Sequence, residues 1–242
     1  MKFDIIYEDD DIVAVNKPSG LLSIPDRYNN TIPCLYHQMA AGYEKLFVVH
    51  RLDKDTSGLI VFAKNEDSHK YMSQLFEGRD VEKYYLAIVN GRPIKEAGTI
   101  IAPIAEHPTH KGRMSVQKKG RFAHTDYELK QTWNGFSLLR LRIFTGRTHQ
   151  IRVHMQHIGH PLFNDDTYGG NRIVKGTIFA KYKQFIENCF EIIPRHALHA
   201  QTLGFIHPRT RQPIQFESPL PDDFKNVLEK WRRYVAARPL EE

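Results

Sequence analysis

The stretch Leu46-Phe47-Val48-Val49-His50-Arg51-Leu52-Asp53-Lys54-Asp55-Thr56-Ser57-Gly58-Leu59-Ile60-Val61-Phe62-Ala63 decides the fold class. Two runs of branched and aromatic residues, Leu46–Val49 and Leu59–Ala63, read as strands around a polar loop. A connection of this length leaves no room for the crossover helix of a parallel pair. Working outward, Ile5–Tyr7 and Ile12–Val15 read as strands across the turn Glu8–Asp11, and Tyr84–Val89 as a further strand. Leu138–Phe144 alternates, with Leu139, Leu141 and Ile143 on one face and Arg140 and Arg142 on the other, which predicts a half-buried strand with a basic open face. Leu203–Ile206 and Pro213–Phe216 predict a hairpin around His207–Gln212.

Helical signals are fewer. Thr31–Ala41 has Thr31 as a candidate cap and stops at Gly42; Asn65–Glu77 has Asn65 as cap, early acids Glu66 and Asp67, and Gly78 at its end. Thr148–Ile158 carries Ile151, Met155 and Ile158 on one stripe and closes at Gly159. Asp222–Arg238 repeats Phe224, Val227, Leu228, Trp231 and Val235 at three- and four-residue steps. Short strand connections with interspersed helices predict an α+β domain on a large mixed sheet, not a doubly wound parallel one.

The 242 residues include 41% hydrophobic and 26% charged side chains, the composition of a folded globular chain. The longest apolar run, Tyr84 to Val89, is far short of the roughly 20 residues of a membrane helix. The acidic start (Asp4, Glu8, Asp9, Asp10, Asp11) does not resemble a signal peptide, and two cysteines, Cys34 and Cys189, fit a reducing cytoplasm. The net charge is +6, and its excess is local. Between His107 and Arg152, ten Lys and Arg residues face only Asp126 and Glu128, a local charge of +8. Such a concentration suits a polyanion, although charge runs are also ordinary solvated surface.

Thirteen histidines raise a metal-dependent hydrolase as one alternative. His154, His157 and His160 fall at three-residue steps instead of the four-residue step of paired helical ligands, and neither cysteine has a CxxC partner, so no metal is expected. Within the polar loop, local physics favours Asp53 or Asp55 capping a turn; the other reading is an acid beside an arginine, presented to a substrate at a sheet edge.

The string His50-Arg51-Leu52-Asp53-Lys54-Asp55-Thr56-Ser57-Gly58 resembles the HRLDxxTSG signature of the RluA family of pseudouridine synthases. The resemblance extends along most of the chain. Val15-Asn16-Lys17-Pro18-Ser19-Gly20-Leu21 is similar to the family's VNKPxGL, Lys83-Tyr84-Tyr85-Leu86-Ala87 to KxYxA, and Thr145-Gly146-Arg147-Thr148-His149-Gln150-Ile151-Arg152-Val153-His154 to TGRxHQIRxH. Leu198-His199-Ala200, Phe205-Ile206-His207-Pro208 and Pro219-Leu220-Pro221-Asp222-Asp223-Phe224 fit as well. One departure is Asn164, where relatives usually carry Gly before Asp165.

The resemblance implies a pseudouridine synthase fold, with a large bent, mainly antiparallel sheet, flanking helices and a central basic cleft. It implies isomerisation of uridine in folded RNA without metal or organic cofactor. Asp53 would be the essential carboxylate, either attacking C1′ or removing the C2′ proton. Tyr85 would lie against the target base and help remove its C5 proton, Arg152 would pair with Asp53, and Arg51 would fill the space left by the flipped nucleotide. Arg140, Arg142, Arg147 and His149, with the Lys111–Arg121 loop, are candidates for holding RNA. The reading expects a single catalytic domain over residues 1–242 in two halves around one cleft, with no separate N-terminal RNA-binding module because the first motif begins at Val15. It expects a cytoplasmic monomer acting on ribosomal RNA of the large subunit or on transfer RNA. A catalytically silent RNA-binding assembly factor is the rival from another class; loss of the loop acid, the tyrosine or the second arginine would mark it, and all three are present.

Overall fold

The computed structural model describes residues 2–173 and 179–236. Its elements are, in chain order, β1 (Asp4–Glu8), β2 (Ile12–Lys17), α1 (Leu35–Ala40), β3 (Phe47–Val48), β4 (Ser57–Ala63), α2 (Glu66–Gly78), β5 (Glu82–Asn90), β6 (Ala97–Ile101), β7 (Ile104–Glu106), β8 (Met114–Val116), β9 (His124–Trp133), β10 (Phe136–Ile143), α3 (Gln150–His157), α4 (Ala180–Ile192), β11 (Leu198–Ile206), β12 (Pro213–Glu217) and α5 (Asp222–Ala236). Strands outnumber helices and pair mostly antiparallel, which makes the chain α+β. It divides into two compact units, Met1–Tyr85 with His199–Pro219, and Leu86–Leu198 with Leu220–Glu242.

In the first unit the strand order is β1-β2-β4-β11, with β3 also on β4 and β12 on β11. β2 and β4 are buried along almost their whole length and pair antiparallel from Ile12↔Ala63 to Lys17↔Gly58. Helix α2 covers this sheet through Met72, which joins Ile12, Ala14, Leu59, Val61, Leu203 and Phe205 in one apolar cluster. The helix starts as the sequence predicts, since Asn65 accepts the Ser68 backbone N–H at 2.9 Å and Glu66 and Asp67 sit in the first turn. It runs one residue further than expected: Arg79, not Gly78, takes the left-handed cap with φ 68°. Helix α1 begins at Leu35 instead of near Thr31, because the Thr31 hydroxyl bonds to Asn29, Pro33 disfavours helix at Ile32, and Cys34 is extended against Leu22.

A close approach explains the end of the loop motif. The start of β4 pairs parallel with β11, Ser57 opposite His199 and Gly58 opposite Ala200. Gly58 has φ +114°, and a Cβ there would lie 2.1 Å from the Ala200 carbonyl oxygen. Only glycine permits this approach. At the far end of the hairpin β11–β12, the backbone N–H groups of Arg209 and Thr210 both donate to His207 Nδ1, so Nε2 carries the proton and donates to Asp9 at 2.8 Å. Arg209 pairs with Asp11, tying this hairpin to the β1–β2 turn.

In the second unit the order is β5-β10-β9-β6. β10 has its predicted alternation, with Leu139, Leu141 and Ile143 buried and Arg140 and Arg142 half-exposed. Helices α4 and α5 pack Tyr182, Ile186, Cys189, Phe224, Val227 and Trp231 against Phe136, Leu138 and Phe163. The Lys111–Arg121 segment, expected as a loop, contains strand β8, which pairs with β7 in a two-stranded ribbon. Helix α3 starts at Gln150, two residues late, because the Gln150 amide oxygen accepts from Thr145 Oγ1 and the Arg147 N–H and holds the preceding residues as a turn. The expected end of the last helix at Arg238 lies outside the described residues.

Substituting Gly58→Ala tests the parallel junction. The added methyl must displace the Ala200 backbone, with an expected loss of at least about 3 kcal/mol in a urea melt. A loss below about 1 kcal/mol would refute the close approach.

Candidate active site

The loop carrying Asp53 is fixed from three sides within the first unit. Lys17, fully buried at the end of β2, donates its ammonium protons to the carbonyls of Pro18, Leu21 and Lys54 at 2.7–2.9 Å. Ser23 Oγ donates to the Leu52 carbonyl and accepts the Leu52 N–H, at 2.9 and 3.0 Å. Ser19 Oγ donates to the Asp55 carbonyl, and the Gly20 N–H donates to that of Lys54. The VNKPSGL string is thus the seat of the HRLD loop. His50 closes the third side: its Nε2 accepts the Val61 N–H of β4 at 3.0 Å, and its ring stacks on Phe76 of α2. Burial and the nearby Lys83 charge lower the His50 pKa to about 3, so it stays neutral and keeps this acceptor.

Between these anchors Leu52 is buried, Arg51 is exposed and Asp53 is half-exposed. The Thr56 N–H donates to the Asp53 carbonyl at 3.1 Å, so a turn follows the acid. Tyr85, on β5, is 8% exposed. Burial, and then the Asp53 charge, push its phenol pKa well above the ordinary tyrosine range. The structure therefore brings Asp53 and Tyr85 within electrostatic reach and holds the phenol in its neutral form.

The remaining sequence-nominated residues belong to the second unit. Arg152, on α3, forks onto Asp165, with Nε–Oδ2 at 2.7 Å and Nη2–Oδ1 at 2.8 Å; the two side chains are 7% and 0% exposed. The guanidinium also lies 4.9 Å from the centre of the Tyr168 ring. His149, left-handed at φ 55° ahead of α3, places Nδ1 2.8 Å from the Tyr168 hydroxyl. Asp165 and Tyr168 thus join Arg152 and His149 in one cluster, and sequence reasoning singles out neither as a site residue. Their one signal is their place in the string that follows His160, where Asn164 breaks the usual Gly-Asp pattern. Asn164 is left-handed, φ 57°, and its side-chain amide donates to the carbonyls of Phe190 and Ile193, so asparagine serves the turn that glycine would otherwise make.

The other arginines have local partners as well. Arg140 stands opposite Glu128 and Arg142 opposite Asp126 across β9–β10, and the Arg147 Nε donates to the Phe122 carbonyl. The two acids of the basic segment therefore sit across from the strand arginines. Lys111, Lys118, Lys119 and Arg121, on and beside the β7–β8 ribbon, are exposed. Among the histidines considered for metal, His154 bonds Thr125 Oγ1 and the Ala102 carbonyl, and His160 bonds the Asn90 carbonyl. Both rings serve the fold. Asp9, Asp11 and His207 could converge on an ion, but Arg209 already occupies Asp11.

The sequence profile described as "RNA pseudouridylate synthase" matches residues 11–157. An RNA pseudouridine synthase of Chlorobaculum parvum, described as uncharacterized, is 41% identical over 96% of this chain and 75% of its own length. The ribosomal large subunit pseudouridine synthase D of Haemophilus influenzae is 39% identical over 93% of this chain and 69% of its own. Among solved structures, human RNA pseudouridylate synthase domain containing 1 superposes with a TM-score of 0.70 at 25% identity, covering 98% of this chain and 96% of that one. Human RNA pseudouridylate synthase domain containing 4 shares the fold, with a TM-score of 0.73 at 24% identity over 94% and 92% of the two chains. No described helix is long and apolar enough to cross a membrane. With its motifs, its fold and its relatives in agreement, this chain belongs to the RluA family of RNA pseudouridine synthases, isomerases that turn uridine into pseudouridine within RNA.

Proposed function

We propose that this chain isomerises uridine in folded ribosomal RNA of the large subunit, with transfer RNA as the second candidate substrate, and that Asp53 is its catalytic carboxylate. The observation that carries this reading is the half-exposed Asp53 on a backbone pinned at Leu52 and Lys54, beside the buried Tyr85. The ribosomal substrate is supported by the description of the Haemophilus influenzae relative. In this reading the enzyme works in the cytoplasm as a monomer, as one catalytic domain with RNA in a basic cleft, and needs neither metal nor organic cofactor.

The reaction is balanced within the nucleotide. The C1′–N1 bond breaks, the uracil turns while held, a C1′–C5 bond forms, and the C5 proton is lost as N1 regains one. Ionised Asp53 either attacks C1′ or removes the C2′ proton; both routes need a charged oxygen at a fixed place. Tyr85, kept neutral, gives the loosened uracil a flat apolar wall, with stacking worth about 1–3 kcal/mol. Its hydroxyl oxygen accepts as well as donates, and Tyr85 is the group assigned to help remove the C5 proton. Exposed Arg51, two residues before the acid, is placed to occupy the gap left by the flipped nucleotide, whose unstacking costs a few kcal/mol.

Arg152 is assigned as the guanidinium that keeps Asp53 ionised, by the match of its motif. Its Nε/Nη2 edge is committed to Asp165. A guanidinium carries five N–H donors, so this fork does not exhaust Arg152. Asp165 is then a positioning residue, holding the fork in one orientation.

Chemical mapping of pseudouridine in total RNA from cells with and without the gene tests the substrate; a missing modification in large-subunit RNA is expected. Asp53→Asn should reduce kcat at least about 10³-fold while RNA affinity changes by less than about threefold. Turnover within tenfold of the parent would defeat the assignment.

Asp165→Asn removes one partner of a buried pair and should lower stability by about 3–5 kcal/mol in denaturant. In the fraction that remains folded, kcat should fall with little change in KM. Unchanged stability and unchanged kcat would sink the positioning role.

Reversing Lys118 and Lys119 to Glu should weaken RNA binding and flatten its dependence on salt by roughly one unit for each phosphate no longer held. An unaltered slope would make the ribbon a plain solvated surface.

A further inference from the structure

Between β2 and α1 the chain loops out at Ser23 and returns at Cys34. The ends of this loop are closed on each other. The Leu35 N–H donates to the Leu22 carbonyl at 2.8 Å, the Tyr36 N–H donates to that of Ser23 at 3.1 Å, and Leu22 pairs with Cys34. A surface loop of this size with joined ends is an Ω-loop. Its root is also tied to the HRLD loop, because Ser23 Oγ holds both polar groups of the Leu52 backbone. Tyr28 lies five residues beyond Ser23, so its Cα stands no more than about 17 Å from that root.

The loop's own bonds hold it open to solvent. Asp26 Oδ1 accepts the backbone N–H groups of Tyr28 and Asn29 at 2.9 and 3.0 Å. Asn29 Oδ1 accepts the N–H and the hydroxyl of Thr31 at 3.0 and 2.6 Å. With these two side-chain turns in succession, residues 27–33 are all exposed, and Tyr28 is 88% exposed. Among the described residues, neither the Arg27 nor the Tyr28 side chain has a hydrogen bond, ion pair or ring contact. A lone exposed apolar side chain is ordinary surface. Two features set Tyr28 apart from that. The backbone beneath it is ordered in advance, which lowers the entropy lost on binding, and its loop is rooted on the segment that carries Asp53. The neighbouring Arg27 is a cation, and the loop's one acid, Asp26, is engaged on backbone N–H groups, so the surface suits a polyanion.

We propose that Tyr28 is a stacking platform for an unpaired RNA base a few nucleotides from the flipped uridine. This rests on the RNA pseudouridine synthase reading above. An RNA loop or bulge opened to release a uridine leaves neighbouring bases without stacking partners, and an exposed aromatic ring offers them one. Every base has a flat face, so the contact favours unpaired over paired RNA at that point without reading its sequence. Arg51 acts in the gap that the uridine leaves; Tyr28 acts outside it.

The test compares the parent with Tyr28→Ala, Tyr28→Phe and Tyr28→Trp in the full chain, on a large-subunit RNA fragment that the parent converts. Tyr28→Ala should weaken binding by about five- to 100-fold and raise KM in step, with kcat nearly unchanged. Tyr28→Phe and Tyr28→Trp keep a ring and should bind within about threefold of the parent. The slope of log affinity against log salt should not move, because stacking releases no counterion. All three variants should melt within about 2 °C of the parent, since the side chain packs on nothing. Single abasic replacements along the fragment should reveal one position at which the parent loses affinity and Tyr28→Ala loses no more. Parental affinity in Tyr28→Ala, an equal loss in Tyr28→Phe, or a lowered salt slope overturns the platform. If the parent forms no pseudouridine in any RNA, the functional reading itself falls; if it does and Tyr28→Ala binds like the parent, the platform alone is wrong.

Discussion

The ammonium of Lys17, removed from solvent and wrapped by three carbonyl oxygens, holds the carbonyl of Lys54, the residue after Asp53. An exposed loop would otherwise sample many conformations, and ordering each residue is unfavourable by about 1–2 kcal/mol of entropy. Here that loss is met by hydrogen bonds in a buried setting, where an unmet ammonium would be intolerable and a met one is rigid. Ser23 repeats the logic at Leu52 with a single hydroxyl that both donates and accepts. The carboxylate can stand half-exposed because the backbone on either side of it is held.

A second constraint fixes where that loop ends. Gly58 lets β4 approach β11 closely enough for parallel pairing, and His199 sits at the same junction. Its Nδ1 lies 3.0 Å from Ser57 Oγ and its Nε2 3.3 Å from the Ser218 carbonyl. With Nε2 donating, Nδ1 accepts the serine hydroxyl. Histidines across the fold share this habit. His50, His154 and His207 each have a tautomer set by backbone or hydroxyl partners, which explains how a chain with thirteen of them can use so many as neutral connectors.

Charge in the second unit is partitioned, not spread. Asp126 and Glu128 stand across from Arg142 and Arg140, so the sheet face that reads as uniformly basic in the sequence is locally balanced. The exposed lysines of the β7–β8 ribbon keep the surplus. Arg152 is buried and held by Asp165 and the Tyr168 ring, which suits a fixed electrostatic role better than a mobile surface one.

The sequence by itself determined the strand–loop–strand around Asp53, the α+β class, the N-terminal cap of α2 and the alternation of β10, because each depends on neighbours within a few residues. It also carried the family, through motifs with ordered spacing. What it concealed were features made by distant partners. Helix α4 escapes a reading of the sequence because its buried Tyr182, Ile186 and Cys189 are diluted by lysines and amides, and become a stripe only against Trp231 and Phe163. The delayed starts of α1 and α3 come from side chains and extended backbone outside the regular turns competing for the same groups. Asp165 as the holder of Arg152 is a fact of burial and distance. That property does not exist until the fold brings chain segments together, because a charge is costly or useful only according to what surrounds it.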